Sequence, residues 1–194
     1  MRFEDLELSG TSLVRLEPKA DSRGFFARSA CVREFRAHGL PGEFVQSSVS
    51  YNRRHGTVRG LHFQWPPSRE GKLVRCVRGA LHDVLLDLRP GERTYLKHCA
   101  VMLHQDIRDA VFIPAGVAHG FQTLADDTEV LYQMTDFYAP ELAAGVRWND
   151  SVFGIKWPIA SEVVISDRDA GYPDFDRRSF EAELAARSAA GGWS

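Results

Sequence analysis

From Thr11 to Pro140 the chain alternates short apolar runs with clusters of Gly, Pro and Asp. The runs include `TSLVRLEP`, `PGEFVQSSVSY`, `GLHFQW`, `KLVRCVRG`, `ALHDVLLDLRPG`, `HCAVMLH`, `DAVFIPAG`, `AHGFQTL` and `EVLYQMTDFYAP`. Val, Leu, Phe and Tyr dominate them, and turn residues arrive too often for long helices or for the crossovers of a parallel sheet. An antiparallel, all-β sandwich or barrel follows. Only `SACVREFRAHGL` and the tail `DRRSFEAELAARSAA` carry a helical pattern, and the closing `GGWS` reads as a frayed end. With no repeat, low-complexity tract or linker, the 194 residues read as a single domain, 1–194.

Strand parity then assigns faces, because residues two apart point the same way. Gly60, His62 and Gln64 share a face, as do Lys72, Val74 and Cys76, and Val130, Tyr132 and Met134. If these strands are neighbours in a barrel, His62, Lys72 and Tyr132 all point inward. Parity sets Arg59 on the face opposite His62. The two reach one site only if a bulge or a strand end lies between them, and Gly60 is where it is expected.

Lys and Arg total 24 against 26 Asp and Glu, a net charge of −2, so no global field draws the chain to nucleic acid or to anionic lipid. Anion binding has to come from a local cluster. Cys31, Cys76 and Cys99 are odd in number and lack CxxC spacing, which points to reduced packing residues of a cytoplasmic protein. `MRFEDLELSG` has no apolar h-region, and no run approaches the roughly 18 apolar residues of a membrane span. A soluble protein with no membrane partner is the expectation.

`FIPAGVAHGF` contains P-x-G-x-x-H and resembles the second short motif of the cupins. Their first motif supplies H-x-H and a glutamate, whereas here `GLHFQ` sets Gln64 at the second histidine. Gln is a poor transition-metal ligand, so His62 and His119 leave a metal site short, and no metal is expected. `ISDRDAG` offers Asp167 and Asp169 as carboxylate partners for His62. A His–Asp pair makes a competent general base.

`DSRGFF`, `GTVRGLHFQ`, `GKLVRCVRG`, `HDVLLDLRPG`, `IPAGVAHGFQTL`, `EVLYQMTDFYAP`, `VRWNDSVFGIKWP` and `ISDRDAGYPDF` follow one another in the order of the dTDP-4-dehydrorhamnose 3,5-epimerases. The chain resembles that family over about residues 5–175, leaving a helical tail at 176–194. The resemblance implies a cupin-like jelly-roll barrel with a few short helices. It also implies a homodimer, a nucleotide-diphospho-sugar substrate, and no metal or cofactor. Under it, His62 is the base, Asp169 its partner, Lys72 faces the C4 oxygen, and Tyr132 is the acid on the opposite face. Arg23, Gln46, Arg59, His119, Tyr138 and Arg168 match positions that hold the nucleotide and diphosphate, with Phe26 stacking on the base. In a dimer, the charged segment `MRFEDLELSG` could complete a neighbour's sheet rather than its own.

Elementary chemistry agrees with these roles. A C–H beside a ketone is acidic only when the enolate is stabilised, as an ammonium does. Inversion requires proton removal on one face and delivery on the other. Departures fall elsewhere: Arg28 replaces a nucleotide-contacting acid, Ser48 an asparagine, and `ERTYLKH` a stretch usually like `SPTFG`. The identity of the nucleotide and the choice among C3, C5 or both stay open at this level. A metal cupin using His62, His119 and a carboxylate, and an inactive nucleotide-sugar-binding barrel, are the competing readings.

Overall fold

The computed structural model describes residues 1–188 and 191–193. Along the chain come β1 (Arg2–Asp5), β2 (Ser12–Arg15), β3 (Lys19–Asp21), β4 (Gly24–Phe26), α1 (Val32–Ala37) and β5 (Gln46–Asn52). Next are β6 (Val58–Gln64), β7 (Lys72–Arg78), β8 (Ala80–Asp87), β9 (His98–His104) and β10 (Ala110–Ile113). The last are β11 (Val117–Thr123), β12 (Thr128–Met134), β13 (Ala143–Gly145), α2 (Asp167–Ala170) and α3 (Arg177–Ser188). A six-stranded sheet in the order β1-β2-β10-β7-β12-β5 faces a five-stranded sheet in the order β13-β6-β11-β8-β9. The fold is a cupin-like jelly roll.

Period-two patterning explains why the sheets stack. Val74 and Cys76 on β7, Val111 and Ile113 on β10, and Val130 on β12 meet Leu81 and Leu85 on β8, Leu103 on β9 and Phe121 on β11 in one core. The intervening residues face outward and are covered in turn. Leu73, Ala110 and Phe112 lie under Phe35 of α1, and Leu61, Phe63, Val84 and Leu86 lie under Val146, Phe153 and Phe180 of the C-terminal third. Burying each large side chain contributes about 1.5–3 kcal/mol, so a one-residue slip of register is prohibited.

Three expectations need correction. His62 does not share a sheet with Lys72 and Tyr132: β6 lies in the five-stranded sheet, across from the paired β7 and β12. The N-terminal strand completes its own sheet, pairing with β2 from Arg2↔Arg15 to Asp5↔Ser12. Of the closing `GGWS`, Ser194 lies outside the described residues, and Trp193 is anchored rather than frayed: its ring stacks 6.1 Å from Trp65 and its Nε1 donates to the Gln64 carbonyl at 3.0 Å. A large aromatic with one donor gains both apolar burial and a partner there.

Candidate active site

The site begins with an irregularity in β6. His62 lies opposite His119 on β11, while Arg59 lies opposite Phe121, so β6 spends three steps where β11 spends two. This is the bulge that brings Arg59 to the side of His62. Gly60 makes it possible: its φ is +116°, and a Cβ there would lie 2.6 Å from the Gly120 Cα and 2.7 Å from the His119 carbonyl oxygen. Only a glycine fits.

Asp169 reaches His62 because its segment is tied to the start of β6. Val58 N donates to the Val164 carbonyl at 2.8 Å and Val164 N to the Gly56 carbonyl at 3.0 Å. Ser166 then caps α2, its hydroxyl accepting from Asp169 N at 3.2 Å. Asp169 is buried, whereas its rival Asp167 is exposed. His62 Nε2 lies 2.7 Å from Asp169 Oδ1, and Gly60 N donates to Oδ2 at 3.1 Å. Burial alone would raise this carboxyl's pKa, but the hydrogen bonds from His62 and Gly60 outweigh it and hold it below the ordinary 3.8. An ionised partner fixes the proton on Nε2 and leaves Nδ1 as the free basic nitrogen.

The facing sheet supplies the other wall. Lys72 at the start of β7 and Tyr132 on β12 line the same cavity of about 310 Å³ as His62, Arg59, His119, Tyr138 and Arg168. Burial first, and then the charge of Asp83, push the Tyr132 phenol above its ordinary value of 10, with Arg59 pulling the other way. It stays protonated and able to donate. Lys72 Nζ pairs with Glu70 at 3.0 Å, both side chains largely buried. Behind Tyr132, His119 Nε2 bonds the fully buried Asp83 at 2.7 Å. Thus the two facing histidines each turn Nε2 to their own carboxylate. Among the described residues, no group of three His, Cys, Asp or Glu side chains converges to hold a metal ion.

Arg59 and Arg168 are oriented by neutral partners. Arg59 Nε donates to Asn52 Oδ1 at 2.7 Å, and buried Asn52 is itself fixed by donating to the Thr128 carbonyl at 3.1 Å. Arg168 lies beside the Tyr172 and Tyr138 hydroxyls, which raise its pKa. Gln46 stands at the rim, its Oε1 accepting from Tyr138 N at 2.6 Å.

Arg23 and Phe26 do not reach this cavity within one chain. They sit on the β3–β4 hairpin, which pairs only with itself and is exposed along its length. Arg23 forks onto Asp21, and Phe26 is 78% exposed. Arg28 pairs with Glu34 at 2.7 Å, and Ser48 is exposed on the edge strand β5. Sequence reasoning missed Glu70, Asp83 and Asn52. Asp83 had a signal, since it occupies the inward parity of an apolar strand between Leu81 and Leu85. Glu70 had one too, standing two residues before the lysine it pairs with, whereas Asn52 had none.

The family model for dTDP-4-dehydrorhamnose 3,5-epimerase matches residues 5–177. A relative of that name from Sinorhizobium fredii is 40% identical over 173 residues, 89% of each chain. The crystal structure of such an epimerase from Bacillus anthracis, with TDP and PPi bound, superposes with a TM-score of 0.86 at 34% identity, covering 90% of this chain and 99% of that one. ChmJ, a 3'-monoepimerase from Streptomyces bikiniensis in complex with dTDP-quinovose, gives 0.82 at 28% identity, covering 95% and 98%. With its jelly roll and its epimerase relatives, the chain belongs to the dTDP-4-dehydrorhamnose 3,5-epimerase family of isomerases.

Proposed function

We propose that this chain epimerises a dTDP-linked 4-keto-6-deoxyhexose at C3 and C5. The observation that carries the reading is one cavity with a carboxylate-backed imidazole on one sheet and a protonated phenol and an ammonium on the other. His62 Nδ1 takes the proton from the carbon beside the ketone, and Asp169 steadies the imidazolium. The electron pair moves onto the C4 oxygen, where Lys72 stabilises the enolate. Tyr132 then returns a proton from the opposite face and is reprotonated from solvent, to which the His62 imidazolium releases the proton it took. Arg59 and Arg168 grip the diphosphate through their planar forks. His119 lines the pocket as a further polar contact. Each step uses side chains of this chain.

Inversion at both carbons is the proposal because the family model over residues 5–177 and the 40% identical relative both carry the 3,5-epimerase name. Thymidine is the proposed nucleoside because relatives hold TDP or a dTDP-sugar. The cytoplasm is the proposed location, since three free cysteines suit a reducing compartment. Among the described residues, no helix is long and apolar enough to cross a membrane.

The decisive experiment is incubation with dTDP-4-keto-6-deoxyglucose in D2O followed by NMR. Deuterium is expected at C3 and C5, and none with His62→Ala. Tyr132→Phe should still exchange but invert poorly. Wild-type exchange in His62→Ala would remove the imidazole from the base role.

The exposed hairpin carrying Arg23 and Phe26 supports a homodimer in which it reaches the partner's cavity, completing a site one chain leaves open. Light scattering should report about twice the 21.8 kDa chain mass. A fully active monomer would overturn this arrangement.

A further inference from the structure

Gln64 is the buried polar residue of `GTVRGLHFQ` that the proposed chemistry does not employ. It is only 5% exposed, on the same face of β6 as His62. A buried amide is costly unless its groups are bonded, so a strand position suited to Leu or Val asks what this one binds. Its Oε1 accepts from Ala139 N at 2.8 Å. Its Nε2 makes longer contacts of 3.4 Å to the Phe137 carbonyl and to Ser68 Oγ. The residue between those backbone groups is Tyr138, which lines the cavity and whose own N–H is held by Gln46 at 2.6 Å.

Consecutive amides of one loop are thus held by two glutamines from opposite sheets, Gln46 on β5 and Gln64 on β6. The same loop is fixed at its start, where Asp136 accepts from Ser68 Oγ at 3.1 Å and from Arg69 N at 3.0 Å. Tyr138 itself is half exposed, its hydroxyl beside the exposed Arg168, so the buried bonds that fix it are those of its backbone and its neighbours'. We propose that Gln64 is a positioning residue: it holds the 137–139 loop so that Tyr138 forms the cavity wall beside Arg168, with His62 fixed independently by Asp169. The inference rests on the epimerase reading for its kinetic consequence, but not for the clamp.

Two measurements separate those parts. Amide hydrogen exchange needs no substrate: Gln64→Leu should speed exchange across residues 136–140 by about tenfold or more, with the β6 amides unaffected. Unchanged exchange there overturns the clamp whatever the chain catalyses. For the consequence, Gln64→Leu should lower kcat for inversion by about tenfold, while deuterium wash-in through His62 falls by less than about threefold. Gln64→Glu keeps the acceptor for Ala139 N and should recover most of the loss. Gln64→Asn stays polar but is one methylene short, so it should repeat the Leu pattern and serves if Gln64→Leu does not fold. In a Tyr138→Ala background, Gln64→Leu should cost less than about twofold further, because its action passes through that loop. Additive losses, or equal losses of wash-in and inversion, would assign Gln64 to general stability and overturn the positioning role. Absence of wash-in with the wild-type protein would instead sink the epimerase reading and leave the exchange result standing.

Discussion

Asp169→Asn is a nearly isosteric change whose effect can be worked from two hydrogen bonds. The carboxylate accepts from His62 Nε2 at 2.7 Å and from Gly60 N at 3.1 Å. An asparagine has one acceptor to offer. Gly60 N is a buried backbone donor in the bulge, and leaving such a donor unpaired costs about 1–3 kcal/mol. The imidazole, by contrast, can move its proton. The amide oxygen will therefore turn to Gly60, and its NH2 will face Nε2, driving the imidazole proton onto Nδ1. The nitrogen that should accept the sugar proton is then already protonated. Loss of the charged hydrogen bond alone, about 1.5–3 kcal/mol, gives about 10- to 150-fold. In a Ser-His-Asp site, where the same substitution also enforces the wrong tautomer, kcat falls about 10⁴-fold. The expected loss in deuterium wash-in is thus about 10²- to 10⁴-fold, with KM within about threefold because Asp169 lies behind His62. The variant should also lose an acid-side dependence of stability. A carboxyl depressed below 3.8 in the fold stabilises it above the unfolded value, and that contribution disappears as pH falls through the folded one. A loss smaller than tenfold, or one confined to KM, would refute the tautomer reasoning.

Gly60→Ala combines overpacking against Gly120 and His119 with a φ of +116°, each worth about 1–3 kcal/mol. Thermal melting should fall by about 4 °C or more, and wash-in should drop with it as Arg59 and His62 lose their shared side. Trp193→Ala removes a partly buried ring and its bond to the Gln64 carbonyl, and should destabilise by about 1–3 kcal/mol in denaturant titration while leaving KM unchanged. Cys76 and Cys99 have thiols pushed up to about 11 by burial, so a thiol reagent at pH 8 should leave both unmodified until the protein unfolds.

What could be read from the chain depended on whether the controlling interaction was local. Strand positions were legible because period-two burial is written residue by residue: Val74 and Cys76 inward, Leu73 outward. The bulge was legible too, since a glycine between Arg59 and His62 is the only local way to turn both to one side. Which sheet each strand joins was not legible, because β6 and β7 are consecutive in sequence yet lie in opposite sheets. His62, Lys72 and Tyr132 meet across the sandwich rather than along it, and that geometry is the one an inversion needs. A base and an acid on neighbouring strands of one sheet would approach a sugar ring from the same side. Separated by the interior of the jelly roll, they can address its two faces. The same non-locality hid the partners of Asn52 and Gln64, each defined by a side chain or loop that only the closed fold brings near, whereas Glu70 stands two residues before its partner Lys72. Arg23 and Phe26 extend this logic past the single chain: the β3–β4 hairpin is exposed and lies away from its own barrel's cavity, and the proposed homodimer is what would give both side chains a site to complete.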